Sequence, residues 1–281
     1  MGLCQVFFSH RKGGAVKRTV KVLFVLALVL ILPQIGRAGD PQAHQDRPIP
    51  MGVSVSTTPS LPFIFAGTAG MRVRSLFNPD VKFILSNNHI LGAVGPTLCP
   101  NTAPVGTGVV QPGTLDIGFD PGNDPFYLVG LKAFHVPINF APGASNLVDA
   151  AIALTDPALA DRAILDILGP GLNAPPTPEF ASALPGLEVI KSGRTTGVTT
   201  GTVLSTNTTV RVNYGPGCGT ARFVGQIVVT PGVFSAGGDS GSAVLARDTL
   251  RPVGLLFAGS PTTVLLNHIL FVYLLLGVFV D

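Results

Sequence analysis

Residues 237–242, with the sequence Gly-Gly-Asp-Ser-Gly-Ser, contain a serine that could act as the nucleophile of an acyl-transfer reaction. Gly238 and Gly241 favour a tight turn, because they let the backbone fold closely around the hydroxyl of Ser240. On such a turn the backbone N–H groups of Gly238 and Ser240 can point at one spot, where the oxyanion of a tetrahedral intermediate would lie. The segment therefore predicts a nucleophile with its own oxyanion hole, although glycine-serine runs also form ordinary loops.

Five histidines could supply the base that takes the proton of Ser240. A serine hydroxyl is a poor nucleophile until a base, usually an imidazole held by a carboxylate, removes that proton. His89 follows an apolar, β-type run at residues 81–85 and three small polar residues, so its side chain should project from a strand end into a cleft. His135 lies within an alternating, strand-like segment and is the alternative base. The other histidines, His10, His44 and His268, lie before, after or inside the apolar runs at the two ends of the chain.

Asp149 is the candidate carboxylate that would hold the imidazole. It heads an apolar segment at residues 150–154, as an acid at the mouth of a buried strand. A buried carboxylate needs hydrogen-bond donors, and an imidazole N–H is a suitable one. Asp116 is a competing candidate, but the apolar context of Asp149 and its separation from Ser240 favour Asp149.

The order His89, Asp149, Ser240 resembles that of the chymotrypsin-like serine proteases. Residues 86–89 resemble the strand end that carries the histidine of that family, and residues 238–242 match its nucleophile loop. The resemblance implies that Ser240 attacks a peptide carbonyl, that His89 shuttles the proton and that Asp149 orients the imidazole. It also implies an all-β fold of two six-stranded antiparallel β-barrels with a C-terminal helix.

A narrower resemblance, to a group of bacterial trypsin-like peptidases, covers most of the chain after the predicted signal peptide. Several dispersed motifs that recur in one order are more specific than the serine segment alone. An α/β-hydrolase is disfavoured, since that fold needs a glycine two residues after the serine and places its histidine after the serine. The further motifs lie at residues 67–70, 85–89, 111–113, 146–151, 191–197 and 254–259.

The composition indicates a β-rich protein with many turns. The 281 residues include 34 glycines and 25 prolines, whereas only 12% of the residues are charged. A hydrophobic content of 46% is ample for a core and disfavours disorder. The sequence divides into a signal peptide (1–38), an extended lead-in (39–60), a first barrel with His89 and Asp149 (61–168), a proline-rich connector (169–186), a second barrel with Ser240 (187–264) and a C-terminal helix (265–281).

Both ends of the chain carry apolar runs. Basic residues precede the run at residues 22–32, and Gly36 and Ala38 offer small residues for cleavage, so a secreted or cell-envelope protein is expected. An uncleaved anchor is the alternative, and it would be the link to a membrane. For the run at residues 265–280 the alternatives are a membrane span and a buried helix, and Gly277 favours the helix.

Removal of residues 1–38 would change the formal net charge from +3 to −3, which gives no electrostatic support for a nucleic-acid partner. Cys4 would leave with the signal peptide, and the sequence leaves open whether Cys99 and Cys218 form a disulfide. No cysteine or histidine cluster has metal-ligand spacing, and we expect neither a metal nor another cofactor.

The expected partner is a protein or peptide substrate. Counting along the nucleophile loop places the base of the substrate pocket near Phe234, with Phe257 and Gly259 on one wall. The absence of an acidic residue at these positions favours an apolar or small substrate side chain. Asp239 should be buried under the loop, but the sequence identifies no partner for it and assigns no role to Arg194. A catalytically silent or latent binding or scaffold protein is the alternative to an enzyme.

Overall fold

The computed structural model describes residues 39–281, so the predicted signal peptide lies outside the described residues. Strands dominate the described chain, and the three α-helices have four to eight residues. The helices are α1 (Asn88–Leu91), α2 (Thr114–Ile117) and α3 (Ile269–Leu276). The strands are β1 (Ile49–Met51), β2 (Ser54–Thr58), β3 (Gly67–Thr68), β4 (Met71–Ser75), β5 (Lys82–Ser86), β6 (Gly108–Val110), β7 (Leu128–His135), β8 (Ala151–Thr155), β9 (Ala160–Ile164), β10 (Glu188–Gly193), β11 (Gly197–Asn213), β12 (Thr220–Thr230), β13 (Ala243–Ala246), β14 (Pro252–Gly259), β15 (Val264–His268) and β16 (Val278–Val280).

The second half of the chain forms a closed six-stranded barrel. Its strand order is β10-β11-β12-β15-β14-β13, with antiparallel neighbours throughout. Apolar side chains such as Val203, Ile227 and Leu266 fill its interior, because side chains along a strand alternate between the two faces of the sheet. The predicted second barrel is therefore confirmed.

The first half forms an antiparallel sheet of eight strands in the order β16-β4-β5-β8-β7-β6-β2-β3. Six of these strands, β3 to β8, lie within residues 61–168, the range of the predicted first barrel. The other two lie outside that range: β2 precedes it and pairs with β6 and β3, and β16 returns from the end of the described chain to pair with β4. The predicted fold class, with two β-barrels and a C-terminal helix, is confirmed.

Residues 39–60, which were expected to form an extended lead-in, contain two strands, β1 and β2. β1 pairs with β9, and β2 pairs with β6 inside the first sheet. The serines of β2 make its sequence look polar, but in the structure these serines are buried and hydrogen-bonded. Thr114 N donates to Ser56 Oγ at 2.9 Å, and Ser54 Oγ donates to Asp116.

The C-terminal helix is shorter than the predicted range of 265–281. Strand β15 precedes it, α3 covers only eight residues, and Gly277 ends it in a left-handed conformation with φ of 66°. The run is apolar because it is buried: Tyr273 has no exposed surface and packs into the core of the first half. Within residues 39–281, no helix has the length and hydrophobicity needed to cross a membrane.

The proline-rich connector carries no named strand or helix between β9 and β10, all of whose residues are described. Ala181 N donates to Pro252 O at 2.9 Å, so the connector is fastened to the second barrel before β10 begins. His89 and Asp149 thus lie in the first half, and Ser240 lies in the second.

Candidate active site

His89 and Asp149 meet at one end of the first sheet. β5 ends at Ser86, and its antiparallel neighbour β8 starts at Ala151 directly opposite, so the residues beyond these two ends are brought together. His89 Nδ1 lies 2.6 Å from Asp149 Oδ2, and His89 N donates to Asp149 Oδ1 at 3.1 Å. The Asp149 side chain has no exposed surface, whereas that of His89 is 14% exposed.

Two residues that the sequence analysis did not assign to the site complete the surroundings of Asp149. The hydroxyl of Tyr214 donates to Asp149 Oδ2 at 2.8 Å, and Asp149 N donates to Asn267 Oδ1 at 2.9 Å. Asn267 interrupts an apolar run, which is a signal the sequence offered. Tyr214 lies just after β11 and has no comparable signal.

Cys99 and Cys218 form a disulfide, which settles the alternative that the sequence left open. Their Cα atoms are 5.3 Å apart, and 119 residues separate them in the chain. The bond joins the segment after α1 to the tip of the β11–β12 hairpin. It therefore holds the turn that carries Tyr214 against the half of the molecule that carries His89.

The Ser240 loop packs on the strands that lead to His89. Thr68 N donates to Ser240 O at 2.8 Å, and Ser240 itself is partly exposed. Gly241 has φ of +97°, and a side chain there would collide with Ser86 and with the backbone of Thr68. Glycine is needed at this position because the loop approaches the end of β5 so closely.

The backbone N–H groups of Gly238 and Ser240 make no hydrogen bond to any other residue of the described chain. Gly238 has φ of +102°, which glycine adopts without strain. Both residues are partly exposed. The two amides are therefore available to an oxygen atom of a bound molecule.

Asp239 is fully buried and has several partners. Its carboxylate accepts hydrogen bonds from Thr195 N at 2.8 Å, Thr196 N at 3.1 Å, Thr196 Oγ1 at 2.7 Å and Ala236 N at 2.9 Å. Lys191 Nζ lies 3.4 Å from Asp239 Oδ2, and neither side chain has exposed surface. Burial lowers the pKa of Lys191, and the charge of Asp239 opposes that shift. The motif around Arg194 thus supplies the partners that the sequence analysis could not identify.

The three predicted pocket residues lie in different environments. Phe234 is 1% exposed within the core of the second barrel, with Lys191 Nζ 5.9 Å from its ring centroid. Phe257 is fully buried, and its ring centroid is 5.0 Å from that of Phe223. Gly259, at the end of β14, is partly exposed. Both aromatic side chains thus belong to apolar cores, and the pocket itself stays a prediction.

The alternative base, His135, and the alternative carboxylate, Asp116, have no contact with each other or with His89 among the hydrogen bonds and ion pairs of residues 39–281. His135 ends β7, and its Nδ1 atom is buried without a hydrogen-bond partner among residues 39–281. Burial and the nearby charge of Lys132 lower the pKa of His135. Asp116 instead forms an ion pair with Arg194.

Several solved structures that match this chain are bacterial serine proteases. No family model matches the chain, and no curated protein sequence matches it. A glutamic acid specific serine protease has 20% identity and a TM-score of 0.55, with 83% of this chain and 100% of that chain covered. Protease A of Thermobifida fusca has 19% identity, a TM-score of 0.54 and coverages of 83% and 97%. Nocardiopsis protease has 17% identity, a TM-score of 0.55 and coverages of 83% and 98%.

The fold is that of the chymotrypsin-like serine proteases, and the resemblance noted in the sequence is confirmed at the level of the fold. The identities are 20% or less, so the activity and the roles of individual residues are argued from the geometry of the site.

Proposed function

We propose that this protein is an exported serine endopeptidase whose catalytic triad is His89, Asp149 and Ser240. The observation that carries the proposal is the 2.6 Å contact between His89 Nδ1 and the buried Asp149 carboxylate, at the strand end on which the Ser240 loop packs. An imidazole held in this way by a carboxylate is what a serine needs to become a nucleophile.

In the first half of the reaction, Ser240 Oγ attacks the carbonyl carbon of a peptide bond. His89 Nε2 accepts the hydroxyl proton and then donates it to the leaving amine as the C–N bond breaks. The product is an ester between Ser240 and the acyl part of the substrate. In the second half, water attacks the carbonyl carbon of this ester and gives a proton to His89 Nε2. His89 returns that proton to Ser240 Oγ as the ester bond breaks, and the peptide acid leaves.

Asp149 selects the tautomer in which His89 Nδ1 carries the proton, so that Nε2 is free to act as the base. Tyr214 and Asn267 in turn hold Asp149. The Gly238 and Ser240 amides stabilise the oxyanion, and loss of one such donor costs about 10²–10³ in turnover.

The expected substrates are proteins or peptides with an apolar or small side chain at the pocket, and no nucleic acid. Export is supported by the basic and apolar N-terminal segment and by the disulfide between Cys99 and Cys218. A membrane would be involved only if the signal peptide stays uncleaved.

The alternative, a latent or silent protein on a protease fold, is disfavoured by the surroundings of Asp239. In trypsin-like zymogens the equivalent carboxylate gains its ion-pair partner only when cleavage creates a new N-terminus. Here Lys191 and the Thr195–Thr196 turn already bind the Asp239 carboxylate. The nucleophile loop is therefore supported without proteolytic processing.

Fluorophosphonate labelling of the purified mature protein tests this function. We expect labelling of the wild type and its loss in both Ser240→Ala and His89→Ala. Hydrolysis of a peptide library by the wild-type protein without the probe would then give the pocket preference. A folded wild type that neither reacts with the probe nor cleaves peptides would favour the latent or silent protein.

A further inference from the structure

The peptide unit between Gly237 and Gly238 has to be held in one orientation if its N–H group is to serve the oxyanion hole. Glycines on both sides leave the plane of this unit free to rotate. The C=O and N–H groups of a planar trans peptide point in opposite directions, so fixing Gly237 O also fixes the direction of Gly238 N–H. The hydrogen bond to Gly237 O is therefore the one that matters for the hole.

That hydrogen bond comes from Thr195, whose hydroxyl donates to Gly237 O at 2.7 Å. The same hydroxyl accepts from Arg194 Nη1 at 3.0 Å. A guanidinium has only donors, and a hydroxyl has only one proton. Because Arg194 can only donate to the Thr195 hydroxyl, the single proton of that hydroxyl is directed at Gly237 O. The two hydrogen bonds therefore form a relay that runs from Arg194 through Thr195 to Gly237 O.

Arg194 is itself held from the first half of the molecule. Its Nε donates to Asp116 Oδ2 at 2.8 Å, and its Nη2 donates to Asp116 Oδ1, which makes a bidentate pair. Exposure of the two side chains is only 11% and 6%. Because the pair is fork-shaped and largely shielded from water, it sets the guanidinium in one position.

A second relay runs parallel to the first. Arg194 N donates to Thr68 Oγ1 at 3.1 Å, and this hydroxyl donates to Gly238 O at 2.9 Å. A side chain at Gly238 would meet Thr195 Oγ1 and would lie 2.7 Å from Arg194 Nη1. Both carbonyls that flank Gly238 are thus tied to Arg194 through a threonine hydroxyl.

From this geometry we infer that Arg194, paired with Asp116, is a positioning residue that orients the Gly238 amide for the oxyanion through Thr195. The inference rests on the proposed function, since an oxyanion forms only if Ser240 attacks a carbonyl carbon. It also gives a role to Asp116, which the site described above does not use.

The decisive variant is Thr195→Val, with Thr195→Ser as its matched control. Valine keeps the shape of threonine and the backbone N–H that binds Asp239, but it removes the hydroxyl of the relay. Arg194→Gln tests the other end of the relay. Arg72→Gln controls for the loss of a comparable ion pair, since Arg72 pairs with Asp281 at exposures of 11% and 9% and donates its other hydrogen bond to Ala160 O.

Turnover of a peptide amide should fall about tenfold to a hundredfold in Thr195→Val and Arg194→Gln, below the cost of losing a donor outright. KM should change less than twofold, and Thr195→Ser and Arg72→Gln should keep near wild-type turnover. A peptide aldehyde, which forms an oxyanion with Ser240, should bind Thr195→Val more weakly by the same factor as turnover. The matching peptide alcohol, which cannot form one, should bind unchanged.

Unchanged turnover in a folded Thr195→Val variant would overturn the inference and leave the proposed function intact. The same holds if aldehyde and alcohol binding weaken together, because that is the signature of a general structural defect. A wild type without probe labelling or hydrolysis would overturn the proposed function and this inference with it.

Discussion

At the scale of single residues, the buried ion pair between Lys191 and Asp239 is stable only if both charges are compensated. Both side chains are removed from water, so their hydrogen bonds must be matched as well as their charges. Lys191 also donates to Thr196 Oγ1 and, at 2.9 Å, to Gly197 O, so its three donors are all used.

Replacing Lys191 by methionine should therefore destabilise the protein. The buried Asp239 carboxylate would lose its counter-charge, and breaking a buried pair in this way costs about 3–5 kcal/mol. Urea unfolding followed by fluorescence or circular dichroism measures the change, with Arg247→Met at an exposed ion pair as the control. A Lys191→Met variant as stable as the control would show that Asp239 does not depend on the lysine.

Tyr214→Phe should slow catalysis more than it lowers stability. The substitution removes the donor that lies 2.8 Å from Asp149 Oδ2 and leaves the ring in place. A hydrogen bond to a charged group is worth about 1.5–3 kcal/mol, which corresponds to a loss of about tenfold to a hundredfold in kcat/KM if it acts in the transition state. Initial rates on a peptide substrate give the value, and Tyr127→Phe provides the control. Equal rates for both variants would argue against a role for Tyr214 in holding Asp149.

At the scale of elements, a disulfide fastens the tip of the β11–β12 hairpin, close to Tyr214, whose hydroxyl donates to Asp149. The disulfide between Cys99 and Cys218 closes a loop of 119 residues. Long closed loops restrict the unfolded chain most, so the bond contributes to stability as well as to position.

A Cys99→Ser, Cys218→Ser double variant should lose about 2–5 kcal/mol of unfolding free energy and part of its activity. Guanidinium unfolding measures the first, and kcat/KM on a peptide substrate measures the second. The wild type after reduction should behave in the same way. If the double variant kept full activity, the hairpin would hold Tyr214 without help from the disulfide.

The elements also show how far the sequence could be interpreted. The contact between His89 and Asp149 was predictable because each residue lies next to the end of an apolar strand, and these ends meet where β5 pairs with β8. β2 was missed because its serines point into a buried hydrogen-bond network, where polarity does not mean exposure. The partners of Asp239 were missed because they come from β10 and the following turn, which only the barrel brings next to the nucleophile loop.

At the scale of the whole molecule, Asp281 joins the end of the described chain to the first sheet. It forms ion pairs with Arg72 of β4 and Lys82 of β5. Burial acts to raise the pKa of Asp281, but the hydrogen bond from Lys82 and the charge of Arg72 outweigh it and hold the pKa below its ordinary value.

Asp281→Asn should accordingly lower stability in a pH-dependent way. The folded pKa is depressed, so the stabilisation is complete above the ordinary aspartate pKa and is lost as the pH falls through the folded value. The variant should be about 1 kcal/mol less stable at neutral pH, and the difference should shrink as the pH falls from about 5 to about 2. Urea unfolding across this range provides the measurement. A difference that does not change with pH would mean that the charge of Asp281 contributes nothing.

The pairing of β16 with β4 has a consequence for the timing of folding during synthesis. Asp281 and Arg72 are 209 residues apart, so the edge of β4 stays open until almost the whole described chain has left the ribosome. Contacts of such long range form late, because closing a long loop costs entropy before any contact is gained. The first sheet should therefore be completed at this edge only late in folding, after β16 has been synthesised.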